Sequence, residues 1–171
     1  AIYIDTEGVS MERLEQMCGD DFEVVAKNIL FTEPYSFDEQ DVLIEKAVRI
    51  TETSPEVGLI VIDSATMHYR LTLREEARRD DLQALARQIG KLVRVSRKVG
   101  IPVIATSQVY TDIETGRFIP LGGHMLQHSA KTIVELSKTG PSSRVARLVK
   151  HRSVEEGRSA KFRLTAKGVE G

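Results

Sequence analysis

Apolar and polar residues alternate in blocks along the first two thirds of the chain. Four blocks are short and rich in aliphatic or aromatic residues, and each predicts a β-strand. They are AIYID (1–5), NILFTEP (28–34), GLIVID (58–63) and IPVIATSQV (101–109). The last two contain continuous apolar runs, which are typical of strands that helices cover on both faces of a parallel sheet. The pattern therefore predicts a buried parallel sheet.

Between these strands, apolar residues recur at helical spacing. SMERLEQMCG (10–19) predicts a short helix. Ser36 and Glu39 form a capping-box pattern, in which a hydroxyl and a carboxylate each accept a hydrogen bond from an amide at a helix start. Residues 81–100 predict a longer helix with one apolar face. Strands thus alternate with helices, which indicates the α/β class.

The last third of the chain has a different pattern. KTIVEL (131–136), RVARLVKH (144–151) and AKFRLT (160–165) predict strands that only short turns separate, so they should pair antiparallel. No stretch has the composition of an interdomain linker. We therefore expect a single domain over residues 1–171, with a mostly parallel central sheet followed by antiparallel strands.

Composition and charge narrow the classes of function. The 171 residues carry a formal net charge of −1, so any affinity for nucleic acid must come from local clusters of arginine and lysine. A single cysteine, Cys18, excludes an internal disulfide framework and a cysteine-based metal site. No apolar run approaches the ~18 residues that a membrane-spanning helix needs. We expect a cytoplasmic protein without membrane partners.

Polar side chains follow three of the predicted strands at their carboxyl ends. They are residues 5–7 (Asp-Thr-Glu), 63–64 (Asp-Ser) and 107–108 (Ser-Gln). In open α/β sheets this edge is where ligands bind. A carboxylate such as Asp63 after an aliphatic strand suits Mg²⁺, which keeps several waters and takes few protein ligands. The alternative is that Asp63 only caps the next segment.

Four motifs resemble the core of the RecA-type recombinases, and most closely the archaeal RadA and RadB proteins. They are IYIDTEG, LIVIDSATMHYR, IPVIATSQV and LGGHMLQHSA, in this order along nearly the whole chain. IDTEG and IDSAT-x-x-YR are specific in combination. The short segment between Gln108 and Gly122, together with KHR at 150–152, favours RadB over RadA. The resemblance implies a RecA-like P-loop ATPase fold.

The resemblance also implies roles for residues near the nucleotide. Glu7 would orient the attacking water, and Asp63 would be the Walker B acid that holds Mg²⁺ through water, with Ser64 as its hydrogen-bonding neighbour. Gln108 matches a polar sensor of the γ-phosphate, and His128 matches a histidine that approaches nucleotide at a subunit interface. Each has a plainer alternative: an acid at a helix start, a cap, an ordinary strand-end amide, or a structural histidine.

A basic pair is placed on a predicted strand. Lys150 and Arg152 are two residues apart, so on a strand both side chains would emerge on one face. In RecA-fold relatives such a pair reaches the γ-phosphate bound by a neighbouring subunit. The alternative is a solvated edge strand that charge protects from unwanted pairing.

Two segments correspond to DNA-binding loops of the family. The first is residues 70–81, where four arginines stand among four acids, so a solvated helix face is the alternative. The second is residues 110–121, which offer a cation and an aromatic ring and look short for a strand-exchange enzyme. The DNA-binding candidates are Arg70, Arg74, Arg78, Arg79, Arg117 and Phe118.

The phosphate-binding motif G-x-x-x-x-G-K-[ST] does not occur in this sequence. In the family it lies just upstream of the strand that here begins at residue 1. We therefore expect that the Walker A strand and loop are missing by N-terminal truncation, and that this chain alone binds ATP poorly.

The resemblance implies a RadB-like protein of DNA repair and homologous recombination. Its cofactors would be ATP and Mg²⁺, its ATPase weak, and its partners single-stranded DNA, a recombinase of the RadA type and further copies of itself. Two alternatives belong to other classes. One is a KaiC-like signalling ATPase, and the other is a non-catalytic adaptor that docks on a recombinase.

Overall fold

The computed structural model of the chain describes residues 1–72, 79–111 and 118–171, and for Arg79 and Phe118 it describes the backbone alone. In chain order the elements are β1 (Ile2–Asp5), α1 (Met11–Cys18), α2 (Phe22–Lys27), β2 (Leu30–Thr32), α3 (Phe37–Thr53), β3 (Ile60–Asp63), α4 (Met67–Thr72), α5 (Arg79–Val99), β4 (Val103–Ala105), β5 (Val109–Thr111), β6 (Phe118–Pro120), α6 (Gly123–Ser129), β7 (Ile133–Lys138), β8 (Ser143–Lys150), β9 (Ser159–Thr165) and β10 (Gly168–Glu170). They fall into two compact units, Ala1–Val9 with Lys27–Ser129 and Ser10–Ala26 with Ala130–Gly171. The single domain expected from the sequence stays a prediction.

The first unit is built on a parallel sheet with the strand order β2-β1-β3-β4. Ile2 pairs with Leu30 on one side of β1 and with Ile60 on the other. The register places Asp5 beside Asp63 and Ile62 beside Ala105, so three strands end at nearly the same level. The predicted α/β class with a parallel central sheet is confirmed.

The core of the first unit joins β1 and β3 to α3 and α5. Alternate strand residues point to one face, and on that face the isoleucines are almost completely buried. The members are Ile2, Ile4, Phe37, Ile44, Ala47, Ile60, Ile62, Ala65, Tyr69, Leu85, Ile89, Leu92 and Val95. Val61, on the opposite face, is half-buried, and Ile104 of β4 is 52% exposed. Among the described residues, the sheet is therefore well covered on one face only, whereas the sequence predicts that both faces are covered.

The start of α3 agrees with the capping-box pattern. Ser36 Oγ accepts a hydrogen bond from Glu39 N at 3.1 Å. The Glu39 carboxylate accepts from Tyr35 N at 2.9 Å, one residue earlier than in the standard box. The Ser36 hydroxyl thus satisfies one of the amides that the helix leaves unpaired, and the Glu39 carboxylate binds the backbone just before the helix.

The two segments predicted as DNA-binding loops are partly regular structure. Arg70 lies inside α4, and α5 begins at Arg79, so residues 70–81 do not form one loop. Within residues 110–121, β5 and β6 pair antiparallel, with Tyr110 opposite Ile119. Arg74, Arg78 and Arg117 lie outside the described residues.

The second unit contains an antiparallel sheet with the strand order β10-β9-β8-β7. Leu136 of β7 pairs with Ala146 of β8, and Ala146 pairs with Ala160 of β9. The predicted antiparallel pairing is confirmed. One detail is wrong: Lys150 is the last residue of β8, and Arg152 lies beyond it in a bend, so the two do not share a strand face.

None of the helices in the described part of the chain has both the length and the apolar character needed to cross a membrane.

Candidate active site at the carboxyl end of the sheet

The strand ends of β1, β3 and β4 form a polar edge, which we call the carboxyl-end rim and define as residues 5–7, 63–66 and 106–108. Parallel pairing in register brings these segments together, as the positions of Asp5 and Asp63 show. Thr6 N donates to Asp63 O at 2.7 Å, and Ala65 N donates to Thr106 O at 3.0 Å. Backbone hydrogen bonds therefore join all three segments of the rim.

Glu7 lies at the centre of this rim. Ser64 Oγ donates a hydrogen bond to Glu7 Oε1 at 3.0 Å, and Gln108 Nε2 donates to the same oxygen at 2.7 Å. Three residues that are far apart in sequence thus meet at one carboxylate oxygen. The sequence predicted all three as site residues.

Asp5 fixes the loop that carries Glu7. Its side chain is 5% exposed, and it accepts hydrogen bonds from three successive backbone amides. Oδ1 accepts from Glu7 N at 3.1 Å and from Gly8 N at 2.8 Å, while Oδ2 accepts from Val9 N at 2.6 Å. Gly8 has a φ of 91°, which favours glycine, so the turn depends on this residue type.

Asp63 has a different environment. Tyr3 Oη donates to its Oδ2 at 2.9 Å, and Thr106 Oγ1 donates to its Oδ1 at 2.5 Å. Burial raises the pKa of the Tyr3 phenol above its ordinary range, and the hydrogen bond to Asp63 raises that pKa further. The phenol therefore stays protonated and remains a donor at neutral pH. Sequence reasoning missed Tyr3 and Thr106.

Thr6 joins the two acidic strand ends. Its Oγ1 accepts from Ser64 N at 2.7 Å and donates to Ser64 O at 3.0 Å, so one hydroxyl satisfies both backbone groups of Ser64. The Asp63–Ser64 peptide bond is cis. The two hydrogen bonds with Thr6 hold Ser64 where its own hydroxyl reaches Glu7.

Gln108 connects Glu7 to the β5–β6 hairpin. Its backbone N donates to Thr66 Oγ1 at 3.1 Å, and its carbonyl accepts from Leu121 N at 2.8 Å. Since its side chain donates to Glu7, both ends of the residue are fixed. Gln108 therefore joins the hairpin to the carboxylate of Glu7 through hydrogen bonds, and its sensor role stays a prediction.

Two buried glutamines lie behind the rim. Gln40 Nε2 donates to Ala65 O at 3.2 Å and to Gln88 Oε1 at 2.7 Å, and Gln88 Nε2 donates to Phe37 O at 3.2 Å. Gln40 Oε1 is buried and has no hydrogen-bond partner among the residues that the structure describes. This network links α3 and α5 to the segment that follows Asp63. The only signal in the sequence is an amide on an otherwise apolar helix face.

The remaining predicted site residues are not part of these contacts. His128 is exposed on α6 near His124, with ring centroids 6.5 Å apart, and no described hydrogen bond joins it to Glu7, Asp63 or Gln108. Lys150 and Arg152 belong to the second unit. Arg70 has a buried Nε without a hydrogen-bond partner in the described residues. Their roles stay predictions.

The donor set at the rim fits a hydrated divalent ion. Within the described ranges, no three His, Cys, Asp or Glu side chains are grouped to hold a metal by themselves. None of the salt bridges found there includes Asp5, Glu7 or Asp63. Asp63 is thus a half-buried carboxylate held by neutral donors, which suits Mg²⁺ bound through water and not a closed cage of protein ligands.

Comparison with known proteins decides the family. The family model described as Rad51 matches residues 1–171. This chain belongs to the Rad51 family. The Rad51-family chain is 44% identical to the DNA repair and recombination protein RadB of Methanococcoides burtonii, over 99% of this chain and 75% of that protein. It is 39% identical to the RadB of Thermoplasma acidophilum, over 98% of this chain and 71% of that protein.

A solved structure gives the same result. The crystal structure of the RadB recombinase matches with a TM-score of 0.80 and 34% identity, covering 98% of this chain and 76% of that one. The predicted resemblance of this Rad51-family chain to a RecA-type recombinase core related to archaeal RadB is therefore confirmed.

Proposed function

We propose that this Rad51-family chain acts in DNA repair and homologous recombination as a RadB-like protein that binds ATP with magnesium and single-stranded DNA. The observation that carries the proposal is the convergence of Ser64 and Gln108 on Glu7, beside Asp63. This geometry occurs in a chain similar to proteins named DNA repair and recombination protein RadB. The proposed localisation of the protein is cytoplasmic.

Glu7 is the residue we assign to the attacking water. Two donors occupy its Oε1, and none of the described hydrogen bonds involves its Oε2. That second oxygen can accept a hydrogen bond from a water and orient it. Phosphoryl transfer asks a protein mainly for such positioning and for charge stabilisation, so a fixed carboxylate at this place suits slow ATP hydrolysis.

Asp63 and Ser64 are the residues we assign to the metal side of the site. A magnesium ion there would neutralise charge on the β- and γ-phosphate oxygens. Asp63 would hold the ion through water. Tyr3 and Thr106 orient its two oxygens, which keep lone pairs that can accept hydrogen bonds from a metal-bound water. Ser64 stays engaged with Glu7.

Gln108 is the residue we assign to signalling between nucleotide and DNA. It links Glu7 to the β5–β6 hairpin, which belongs to the second predicted DNA-binding segment. The first such segment carries Arg70 and Arg79. A recombinase of the RadA type and further copies of this chain are the proposed protein partners, with His128, Lys150 and Arg152 facing nucleotide across a subunit interface.

A titration of labelled single-stranded DNA tests the DNA-binding part. The protein expressed from its complete gene is titrated over a series of salt concentrations, with and without Mg-ATP. Phosphate contacts predict that the logarithm of the affinity falls linearly with the logarithm of the salt concentration. Arg117→Ala should reduce the magnitude of this log–log slope by about 1. Arg49 is an exposed arginine of α3 that pairs with Glu45, so Arg49→Ala should leave the slope unchanged.

The result also separates the alternative functions. Negligible DNA binding at every salt concentration, with ATP turnover intact, would favour the KaiC-like signalling ATPase. Negligible DNA binding without turnover would favour the adaptor.

A further inference from the structure

Two hydroxyl groups hold the carboxylate of Asp63 from opposite sides. Tyr3 Oη donates to Oδ2 at 2.9 Å, and Thr106 Oγ1 donates to Oδ1 at 2.5 Å. Tyr3 is on β1 and Thr106 follows β4, the two strands that flank β3 in the sheet. Each oxygen of Asp63 therefore has one donor, and each donor comes from a different neighbouring strand.

Both donors are themselves fixed in place. Tyr3 lies within β1, between two pairing strands, and its ring meets the ring of Phe31 with centroids 5.6 Å apart. Thr106 N donates to Ile62 O at 3.0 Å, and Thr106 O accepts from Ala65 N at 3.0 Å. The positions of the two hydroxyls are thus set by the sheet. An aspartate at a half-exposed strand end would otherwise rotate freely.

The donors orient Asp63 without reducing its charge. Both are neutral hydroxyls, and none of the ion pairs in the described part of the chain includes Asp63. An ionised carboxylate has about four lone-pair sites, so each oxygen keeps one for a further donor. An arginine or lysine in the same place would compete with a cation, whereas these hydroxyls do not.

We propose that Tyr3 and Thr106 are positioning residues that orient Asp63 for the binding of magnesium with nucleotide. The inference rests on the proposed function of the carboxyl-end rim and deepens it. Residues that hydrogen-bond to metal-binding groups typically contribute about 10- to 100-fold to metal affinity. Loss of either hydroxyl should therefore weaken the magnesium-dependent part of nucleotide binding and leave the metal-independent part alone.

Tyr3→Phe and Thr106→Val test this in the protein expressed from its complete gene. Each removes one hydroxyl and keeps nearly the same volume. Binding of a fluorescent ATP analogue is titrated at a series of magnesium concentrations and in EDTA. For both variants, the magnesium concentration at half-maximal binding should rise about tenfold, whereas the affinity in EDTA should not change.

Tyr35→Phe is the matched control, because Tyr35 is 81% exposed and its hydroxyl makes no hydrogen bond among the described contacts. It should behave like wild type throughout. The inference is overturned if Tyr3→Phe and Thr106→Val both have the magnesium dependence of Tyr35→Phe. It is also overturned if they lose affinity equally in EDTA, since that indicates a general packing defect. If Tyr3→Phe does not fold, Thr106→Val decides, because Thr106 is exposed.

The wild-type titration separates this inference from the proposed function. A wild-type protein without affinity for nucleotide under any condition contradicts both. A wild-type protein that binds Mg-ATP, with both variants unchanged, contradicts only the assignment of Tyr3 and Thr106.

Discussion

Asp5 and Asp63 end neighbouring strands in register, yet their surroundings assign them different tasks. The carboxylate of Asp5 is buried and its oxygens accept from three backbone amides. That of Asp63 is half-buried and accepts from two hydroxyls. The three amide contacts make Asp5 part of the scaffold, whereas the carboxylate of Asp63 keeps lone pairs for further donors. In the proposed function, the same residue type thus serves structure at one strand end and ligand binding at the next.

Asp5→Asn should destabilise the protein more than its similar size suggests. The amide group of asparagine places an N–H donor where one or more backbone N–H groups now donate, and buried hydrogen bonds to a charged group contribute about 1.5–3 kcal/mol each. We expect a loss of about 2–3 kcal/mol in the free energy of unfolding, measured by urea denaturation.

Asp20→Asn is the matched control for this prediction. Asp20 is exposed and makes no hydrogen bond among the described contacts, so its replacement should change stability by less than about 0.5 kcal/mol. Equal stability of the two variants would show that the amide contacts of Asp5 do not hold the loop that carries Glu7.

At the scale of elements, α3 and α5 are joined by a pair of buried amides as well as by apolar packing. Gln40 and Gln88 are 0% and 1% exposed, and they hydrogen-bond to each other at 2.7 Å. Gln40 also reaches the carbonyl of Ala65, two residues after Asp63. Buried amides cost stability unless they are paired. This pair therefore favours one relative position of the two helices and of the segment after β3.

A double-mutant cycle of Gln40→Leu and Gln88→Leu tests this link. Each single change leaves buried polar groups without a partner and should cost about 1–3 kcal/mol in the free energy of unfolding. The double variant removes both amides of the pair, so its cost should fall short of the sum by about 1 kcal/mol or more.

Gln83→Leu is the control, because Gln83 lies on α5 like Gln88 but is exposed. This change should have little effect on the free energy of unfolding. Additive costs for Gln40→Leu and Gln88→Leu in urea denaturation would mean that the two amides act independently.

At the scale of the whole molecule, the residues of the candidate site could be predicted from the sequence more fully than the contacts that hold them in place. Glu7, Asp63, Ser64 and Gln108 were predictable because parallel strands end at one edge, and polar residues directly after apolar strands must meet there. The parallel sheet and the antiparallel strands at the end of the chain followed from the apolar pattern and from the lengths of the connections. These features depend on local pattern alone.

The supporting contacts depend on register, which local pattern does not reveal. Tyr3 is in the middle of β1 and reaches Asp63 on the neighbouring strand β3, so its role appears only when Asp5 is known to pair with Asp63. A phenol on an otherwise apolar central strand was the available signal, since a buried hydroxyl usually finds a partner.

Short elements and strand ends were also beyond local pattern. The helices α4 and α6 are six and seven residues long, too short for helical spacing to stand out. The end of β8 is set by its pairing partner, because Lys150 is the last residue opposite β7. Arg152 therefore lies outside the strand because β7, in another part of the chain, offers it no pairing partner.

The measurement that tests the central claim most directly is ATP turnover by Glu7→Gln in the protein expressed from its complete gene. Glutamine keeps the size and the acceptor oxygen of Glu7 but removes its charge, and loss of a positioned acid–base group typically costs about 10²–10⁴-fold in rate. We expect turnover to fall by about 100-fold or more, while the affinity for Mg-ATP stays near that of wild type. Glu56→Gln, an exposed glutamate before β3, should retain both. Unchanged hydrolysis in Glu7→Gln would contradict the assignment of the carboxyl-end rim as the catalytic site.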